Sequence, residues 1–401
     1  MLLRSASFSS FHPRAVADTP VRPSPSPPDG SAKFCLREAR LTIDFALPSA
    51  SATAMPLAYS TQHILYFTRG NRVQFRNMVS ADTTGQLFRL QEEKHGEPML
   101  LEAGGVDRPG LLALSTSRGI IQVWDADSKK MVSTWTTKGA ASMTWNGPVI
   151  SVGTAKGGIR HYDTRIQPTS KMKEQASRLT RHEASIGTLS WNQDAKLLAS
   201  GDDSGVVHCW DNRTRSPLDV GEFHQRRKKI QHPGSISALA WCPWQSKQLV
   251  TGDISGTVRF WSIDPASAHS NATSPSTYEH GSKIVNLHFA SNYKELLTTL
   301  GPVPRPADAT DRAIPSWPPP GSTASNALTV HAFPSLRQIA SVSASEQDVC
   351  GSVLSPLSSS ASGAQKIVVA VPGETKLKVF DVWGKRKEIR RQTSSLETSI
   401  R

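Results

Sequence analysis

Cysteine is scarce in this chain, and long apolar runs are missing. The four cysteines among 401 residues (Cys35, Cys209, Cys242 and Cys350) show neither paired short spacings nor a Cys/His cluster. This pattern argues against a disulfide framework or a zinc site and favours a reducing compartment. No apolar run reaches the roughly 18 residues that a membrane-spanning helix needs. We therefore expect a soluble intracellular protein that does not contact a membrane.

Acidic residues are the minority, with 33 Asp and Glu against 46 Lys and Arg, which gives a formal net charge of +13. A positive excess raises the hypothesis of nucleic-acid binding. Part of the charge lies in two runs, Arg226–Lys229 and Lys385–Arg391, which are predicted to be loops beside strands. Neither run has the interleaved aromatic residues that stack on bases. Solvated loops or a nuclear-import signal are favoured over a nucleic-acid partner.

The N-terminal residues lack a pattern that could form a core. Met1 to Ala17 is basic, Ser-rich and free of acids, as in a mitochondrial presequence, but it has no apolar run of the secretory type. Pro20 to Pro28 is rich in Pro and Ser and could not bury apolar surface. A disordered tail over residues 1–38 is the favoured interpretation, with a transit peptide as the alternative.

An aromatic residue followed by an acid closes several β-rich runs. The pairs and their variants are Trp124-Asp125, Tyr162-Asp163, Trp210-Asp211, Trp261-Ser262 and Phe380-Asp381. The first spacings are 38, 48 and 51 residues, and a period near forty with this ending is typical of propeller blades. Helical periodicity is missing. The sequence therefore predicts an all-β, seven-bladed WD-repeat β-propeller with a disordered N-terminal tail and a short C-terminal tail.

The repeat units have the same internal order. In the clearest unit, the apolar runs Ile186–Trp191, Leu197–Gly201 and Val206–Trp210 are separated by the turn residues Asn192–Asp194 and Gly201–Gly205. Counting such units places a propeller over 39–384, with blades at 56–94, 95–138, 139–181, 182–232, 233–280, 281–340 and 341–384. Segments outside these strands are an outer strand at 40–45, a Pro-rich insert at 301–321, a Ser-rich loop at 357–365 and a basic tail at 385–401.

Structural roles are predicted for the residues that could suggest chemistry. His182 and His232 are expected in hydrogen-bonded scaffolds of their blades, and Trp241 and Trp244 in packing. The carboxylates of Asp163, Asp203 and Asp211 are expected to accept backbone hydrogen bonds. No nucleophile elbow, phosphate-binding loop or metal-ligand spacing is present. We expect neither an enzyme nor a cofactor.

A run in the fifth predicted blade carries a resemblance to a known family. Ser237–Ser246 contains Trp241-Cys242-Pro243-Trp244, where ordinary WD repeats have a variable turn. Further matching segments are Lys229–His232, Asn292–Leu296, Asn326–Val330 with Phe333-Pro334, and the terminal Ile400-Arg401. From Arg178 onward the chain resembles the Fizzy family of activators of the anaphase-promoting complex, a ubiquitin ligase.

The resemblance implies a non-catalytic adaptor of the nucleus and cytoplasm. Ile400 and Arg401 would bind a helical-repeat subunit of the ligase, presenting a carboxylate, a guanidinium and an apolar side chain on one tether. Degron-bearing substrate proteins would bind the propeller, and checkpoint proteins are a further partner class. In this role the protein would take part in protein degradation during mitosis or meiosis.

Several positions depart from the family pattern. The destruction-box groove uses two acids, of which one matches Glu374 and the other aligns with the uncharged Ala58. The pocket for the KEN box uses two asparagines, aligned here with Asp203 and Gly205, and an arginine, aligned with Asp348. The C-box (Asp-Arg-aromatic-Ile-Pro) is missing before residue 56, and Asp311–Pro315 resembles it only by coincidence. An incomplete gene model, a separate subclass and a true loss all remain open explanations.

Three hypotheses follow from these residues. The first is a substrate-recruiting activator of the ligase, with divergent degron preferences. The second is a degenerate propeller that binds the ligase as a scaffold or decoy without delivering substrates. The third is a nucleic-acid-associated or chromatin-associated WD protein, which the net charge alone supports.

Overall fold

A computed structural model of the protein describes residues 31–47, 55–80, 84–224, 227–264, 276–304, 325–357 and 364–384. Within these ranges the strands form seven antiparallel sheets, each corresponding to one blade. The first strands of neighbouring blades contact one another around a complete circle, from blade one through blade seven and back to blade one. The predicted seven-bladed propeller is confirmed.

The strand bounds follow the repeat units of the sequence. Blades one to three contain, from the inside outward, β2 (Leu57–Tyr59), β3 (Ile64–Arg69), β4 (Arg72–Asn77) and β5 (Thr84–Arg89); β6 (Pro98–Ala103), β7 (Leu111–Thr116), β8 (Ile120–Asp125) and β9 (Lys130–Thr136); and β10 (Ala140–Asn146), β11 (Val149–Thr154), β12 (Gly158–Asp163) and β13 (Ser177–Thr180). Short helices also occur: α1 (Ala32–Cys35), α2 (Glu92–His95) and α3 (Thr169–Gln175).

The second half of the ring has the same order. Blades four to six contain β14 (Thr188–Trp191), β15 (Leu197–Gly201), β16 (Val206–Asp211), β18 (Arg227–Gln231) and β17 (Glu222–His224); β19 (Ile236–Trp241), β20 (Gln248–Asp253), β21 (Thr257–Ser262) and β22 (Ser276–Glu279); and β23 (Ile284–Phe289), β24 (Glu295–Leu300), β25 (Ala327–Ala332) and β26 (Gln338–Ser343). Blade six therefore ends at Ser343 rather than at the predicted residue 340.

Blade seven joins the two ends of the propeller. Its strands are β27 (Gly351–Leu354), β28 (Gln365–Val371), β29 (Lys376–Trp383) and, outermost, β1 (Leu41–Asp44). β1 pairs with β29 from Leu41 opposite Val379 to Asp44 opposite Lys376. The predicted outer strand at 40–45 thus completes the last blade, and this pairing covers the free edge of β29.

Apolar side chains from both faces of each blade form the core. In β2, Leu57 packs toward Val368 and Ala370 of blade seven, whereas the neighbouring Ala58 packs with Leu101 and Leu112 of blade two. Burial on both faces explains why the strands appear in the sequence as continuous apolar runs rather than as strict alternation.

Blade four differs from the prediction at the basic run. Arg227, Lys228 and Lys229 lie in β18, which forms a hairpin with β17, so the expected loop is wrong for these residues. The hairpin forms the outer edge of the blade, where charged side chains can point into solvent and discourage edge-to-edge association. The Lys228 ammonium lies 5.4 Å from the ring centre of the exposed Phe223.

Blades four and five contain equivalent hydrogen-bonded scaffolds, as predicted for their histidines. His182 Nδ1 lies 2.7 Å from the Asp202 carboxylate, and its Nε2 lies 2.7 Å from Ser200 Oγ, which accepts Trp210 Nε1–H at 2.8 Å. The second scaffold joins His232, Asp253, Thr251 and Trp261 in the same order. All of these groups are buried, so their hydrogen bonds satisfy what burial would otherwise leave unpaired.

The antiparallel order gives the ring two distinct faces. The turns between the second and third strands, and the segments leading into each first strand, lie on one side, which we call the top face. The turns between first and second strands and between third and fourth strands lie on the other side, the bottom face. No helix in the described ranges is long and apolar enough to cross a membrane.

Candidate functional site

The top face carries most of the site residues predicted from the sequence. Asp203 and Gly205 lie in the turn between β15 and β16, Asp348 lies in the segment before β27, and Glu374 lies in the turn between β28 and β29. Ala58, in β2, is buried and its methyl group packs toward blade two. Ala58 therefore faces away from blade seven, where Glu374 lies.

Glu374 is held in an ion pair. It ends a short 3-10 helix, Pro372–Glu374, and the following Thr375 has φ 54°. The Lys378 ammonium donates a hydrogen bond to the Glu374 carboxylate at 2.8 Å, and the Ser345 hydroxyl donates another. The bond from Lys378, followed by that from Ser345, lowers the pKa of Glu374. The carboxylate is charged, but a degron arginine would have to share it with Lys378.

The turn at Gly205 has no room for a side chain. Gly205 has φ +82°, and a Cβ atom there would lie 2.5 Å from the His232 carbonyl oxygen and 2.7 Å from that of Gly234. An asparagine, as the family pattern has it, would require the segment leading into blade five to move. The resemblance and the backbone therefore disagree at this position.

Asp203 connects two blades. Its carboxylate accepts a hydrogen bond from the Ser235 hydroxyl at 3.1 Å, rather than a backbone hydrogen bond, so that prediction is wrong for Asp203. It is confirmed for the other two acids, because Asp163 accepts the Arg165 N–H at 3.0 Å and Asp211 accepts the Arg213 N–H at 2.9 Å.

The structural acids of the top-face turns were missed in the sequence. Asp202 accepts the backbone N–H groups of Ser204 and Val206 at 3.0 and 2.9 Å, and Asp253 has the same role in blade five. The repeated triplets Ser200-Gly-Asp202 and Thr251-Gly-Asp253 were the signal that would have identified them. The residue after this acid is the exposed Asp203 in blade four and Ile254 in blade five.

The top face carries exposed side chains of both charges. Exposed acids include Asp203, Glu346 and Asp348, and also Glu92 and Glu93 in the segment leading into blade two. Exposed cations in the top-face turns of blades one to three include Arg69, Arg72, Arg118, Lys138 and Lys156. Charges of both signs on one face can orient an extended peptide that carries both signs.

The Trp-Cys-Pro-Trp run is structural, as predicted for its tryptophans. Trp241 Nε1–H donates to the Ser190 carbonyl oxygen of blade four at 3.0 Å. Trp244 packs edge-on against Phe289 and Phe333, with ring centres 5.4 and 6.1 Å apart. This run therefore fixes blade five against both of its neighbours.

Other predictions fall on residues that the structure does not describe. Ile400 and Arg401, the tail at 385–401, Asp311–Pro315 and most of the segments at 1–38, 301–321 and 357–365 lie outside the described ranges. Within those ranges, no group of three or more His, Cys, Asp or Glu side chains is placed to hold a metal ion.

Comparison with known proteins supports the resemblance. The model of the "WD domain, G-beta repeat" matches residues 173–211 and 225–262. Similar proteins are "WD repeat-containing protein slp1" of Schizosaccharomyces pombe (29% identity; 47% of this chain, 36% of slp1), "Anaphase-promoting complex subunit cdc20" of Dictyostelium discoideum (26%; 61% and 46%) and "Cell division cycle 20.1, cofactor of APC complex" of Arabidopsis thaliana (30%; 56% and 46%). The chain thus spans between about a third and a half of the length of these relatives.

The fold has a solved counterpart. A chain in the "Crystal Structure of Mitotic Checkpoint Complex" matches with a TM-score of 0.69 and 22% identity over 93% of this chain and all of that chain. This likeness shows that the two chains share the propeller fold. The propeller fold by itself does not determine a function, which depends on the residues of its faces.

Proposed function

We propose that this divergent Cdc20/Fizzy-type propeller recruits substrates to the anaphase-promoting complex. The observation that carries the proposal is the sequence likeness to relatives named as subunits or cofactors of that complex. The open top face, with exposed side chains of both charges on a rigid ring, offers a peptide-binding surface. In this role the protein performs no chemistry of its own, and its residence is the nucleus and cytoplasm.

Recruitment requires two contacts on one chain. A degron peptide binds the propeller, with Glu374, Asp203 and Asp348 favouring a basic residue in it. Ile400 and Arg401 bind a helical-repeat subunit of the ligase through their carboxylate, guanidinium and apolar side chain. Joining both contacts raises the effective concentration of substrate at the ligase, so neither needs high affinity. Checkpoint proteins would act by occupying the same surface.

Deletion of Ile400 and Arg401 tests the proposal. We expect the truncated protein to lose most of its co-purification with ligase subunits and its support of substrate ubiquitination in a reconstituted reaction. A Ser399→Ala variant with the dipeptide intact serves as the matched control and should behave as the intact chain. Undiminished co-purification of the truncated protein would contradict the proposed tether.

A scaffold or decoy is the second candidate function. The ion pair between Glu374 and Lys378 and the lack of room at Gly205 favour it, because both reduce binding of the usual degrons. Adding the intact protein to a reconstituted reaction that contains another activator separates the two. A decoy lowers product formation in proportion to its concentration, whereas a recruiting activator increases product from its own substrates.

A further inference from the structure

A cleft on the bottom face, between blades three and four, is not used by the proposed function. Its volume is about 300 Å³, which is at the lower end of the range for ligand pockets and suits a few amino-acid side chains. Its walls come from the bottom ends of β12 and β16, from β13, and from α3 in the connection between β12 and β13.

The floor of the cleft is apolar. Leu198 is fully buried there, Leu179 and Met172 are nearly so, and Trp191 and Ile166 are half-buried lining residues. Met172 belongs to α3 and anchors this helix to the core of blade three. The helix therefore has a fixed position beside the cleft, and the floor is preformed for an apolar side chain.

The two acids at the rim already have cationic partners. The Nε–H and Nη2–H groups of Arg165 each donate a hydrogen bond to one oxygen of the Asp163 carboxylate, and the shorter bond is 2.7 Å. Asp211 is bound in the same way by Arg213, with the shortest contact at 2.9 Å. Such bidentate pairs neutralise both carboxylates, so neither acid governs the charge of the cleft.

Arg215 is a further cation at the cleft, besides the two arginines that pair with Asp163 and Asp211. It lines the cleft with an exposed side chain and has φ 56°, and its guanidinium makes no hydrogen bond or ion pair with any other residue in the described ranges. A left-handed backbone is uncommon for a residue with a side chain. Here it follows the turn after β16, where the Arg215 N–H donates to the Asp211 carbonyl oxygen at 3.0 Å.

His161 supplies a second donor. Ser151 Oγ accepts Trp191 Nε1–H at 3.1 Å and lies 2.8 Å from His161 Nδ1, so the serine hydrogen is available to Nδ1. Burial, and then the charge of Arg215, lower the pKa of His161 to about 4. The ring is therefore neutral near pH 7, and a neutral imidazole carries one N–H donor.

We propose that this cleft binds a short peptide segment of a partner protein in which an acidic side chain adjoins an aliphatic or aromatic one. The carboxylate would accept hydrogen bonds from the Arg215 guanidinium and the His161 ring. The neighbouring apolar side chain would pack on Trp191 and Ile166, which line the cleft and are half-buried. The site lies on the opposite face from the proposed degron surface and would allow a second partner to bind simultaneously.

Selection from a random-peptide phage library on the full-length protein tests this proposal. We expect selected peptides to share Asp or Glu beside an aliphatic or aromatic residue, and to lose about tenfold or more in affinity toward Arg215→Glu, since a hydrogen bond to a charged group is replaced by repulsion. Arg118→Glu makes the same change in an exposed top-face turn and should leave the affinity unchanged.

Three results would overturn the proposal. One is a selection without such acidic peptides, the second is acidic peptides that bind Arg215→Glu as tightly as the intact chain, and the third is acidic peptides that Arg118→Glu fails to bind. Arg215 is exposed, so thermal unfolding should show the same stability for Arg215→Glu and the intact protein. These results do not depend on whether the top face binds degrons or the C-terminal tail binds the ligase.

Discussion

Glu374 is charged, but its pairing with Lys378 limits its capacity to bind a ligand's guanidinium group. Its carboxylate accepts hydrogen bonds from Lys378 and Ser345 in a partly buried turn. The Lys378 ammonium also donates to the Ala344 carbonyl oxygen at 3.1 Å, which fixes it over the carboxylate. An incoming guanidinium meets a group whose charge is already balanced.

Lys378→Met should therefore increase the affinity for an arginine-containing destruction-box peptide. Without the ammonium, Glu374 can pair with the ligand, and the gain is about 1 kcal/mol, or about fivefold in affinity. Fluorescence polarisation with a labelled peptide measures it. Lys376→Met, which removes the neighbouring cation that pairs with Asp44, is the control. Equal affinities of all three proteins would argue that the peptide does not reach Glu374.

Whereas the pKa of Glu374 is lowered, that of Glu102, in β6, is raised. Burial raises the pKa of its carboxyl group to about 8, whereas an unfolded chain ionises it near its ordinary value of 4.5. Between these values the folded state binds more protons, so this group makes the protein less stable as the pH rises. Glu102→Gln should remove that dependence, raising the free energy of unfolding more at pH 8 than at pH 5.

Urea denaturation of the Glu102→Gln variant at both pH values measures this effect. Glu93→Gln, on the exposed face of α2, is the control and should change neither value. If Glu102→Gln shifts the unfolding midpoint equally at pH 5 and pH 8, the carboxyl group is not held neutral in the folded state.

Among the elements, α1 acts as a small clamp on the last two blades. The Glu295 carboxylate, 3% exposed at the start of β24, accepts the Ala32 N–H at 3.1 Å and Trp383 Nε1–H at 2.7 Å. It thus joins the N-terminal segment, blade six and blade seven. Ala32 and Leu36 are buried in the same cluster as Trp383.

Glu295→Leu should destabilise the protein by about 3 kcal/mol, because two buried donors lose their acceptor and each costs about 1 to 3 kcal/mol when unpaired. Chemical denaturation followed by tryptophan fluorescence measures the change. Glu346→Leu, at an exposed position of the top face, is the matched control. A loss no larger than that of the control would show that water replaces the carboxylate.

The elements also show what the sequence could and could not reveal. Trp210-Asp211 and its counterparts lie at the ends of third strands in several blades, so the repeat period and most strands were predictable. The hairpin of β17 and β18 was not, because its charges suggested a loop while its pairing depends on the edge of blade four. The partner of Glu374 depends on the geometry of one turn, and no local pattern indicates it.

At the scale of the whole molecule, stability depends on the pairing of β1 with β29. A variant that begins at residue 48 lacks β1 and α1, exposes the edge of β29 and should unfold at lower temperature and self-associate. A variant that begins at Ser31 keeps both elements and is the control. Thermal unfolding and size-exclusion chromatography compare them, and identical behaviour of the two variants would contradict a closing role for β1.

The pairing of Asp44 with Lys376 has a consequence for synthesis on the ribosome. These partners are separated by 332 positions in the chain, and translation at about 5 to 20 residues per second leaves the first strand waiting on the order of 20 to 60 seconds for its partner. During that interval β1 has no partner strand, and the ring of blades is incomplete. β1 can pair with β29 only after blade seven has left the exit tunnel. We therefore expect a chaperone that binds unfolded segments to protect β1 until then.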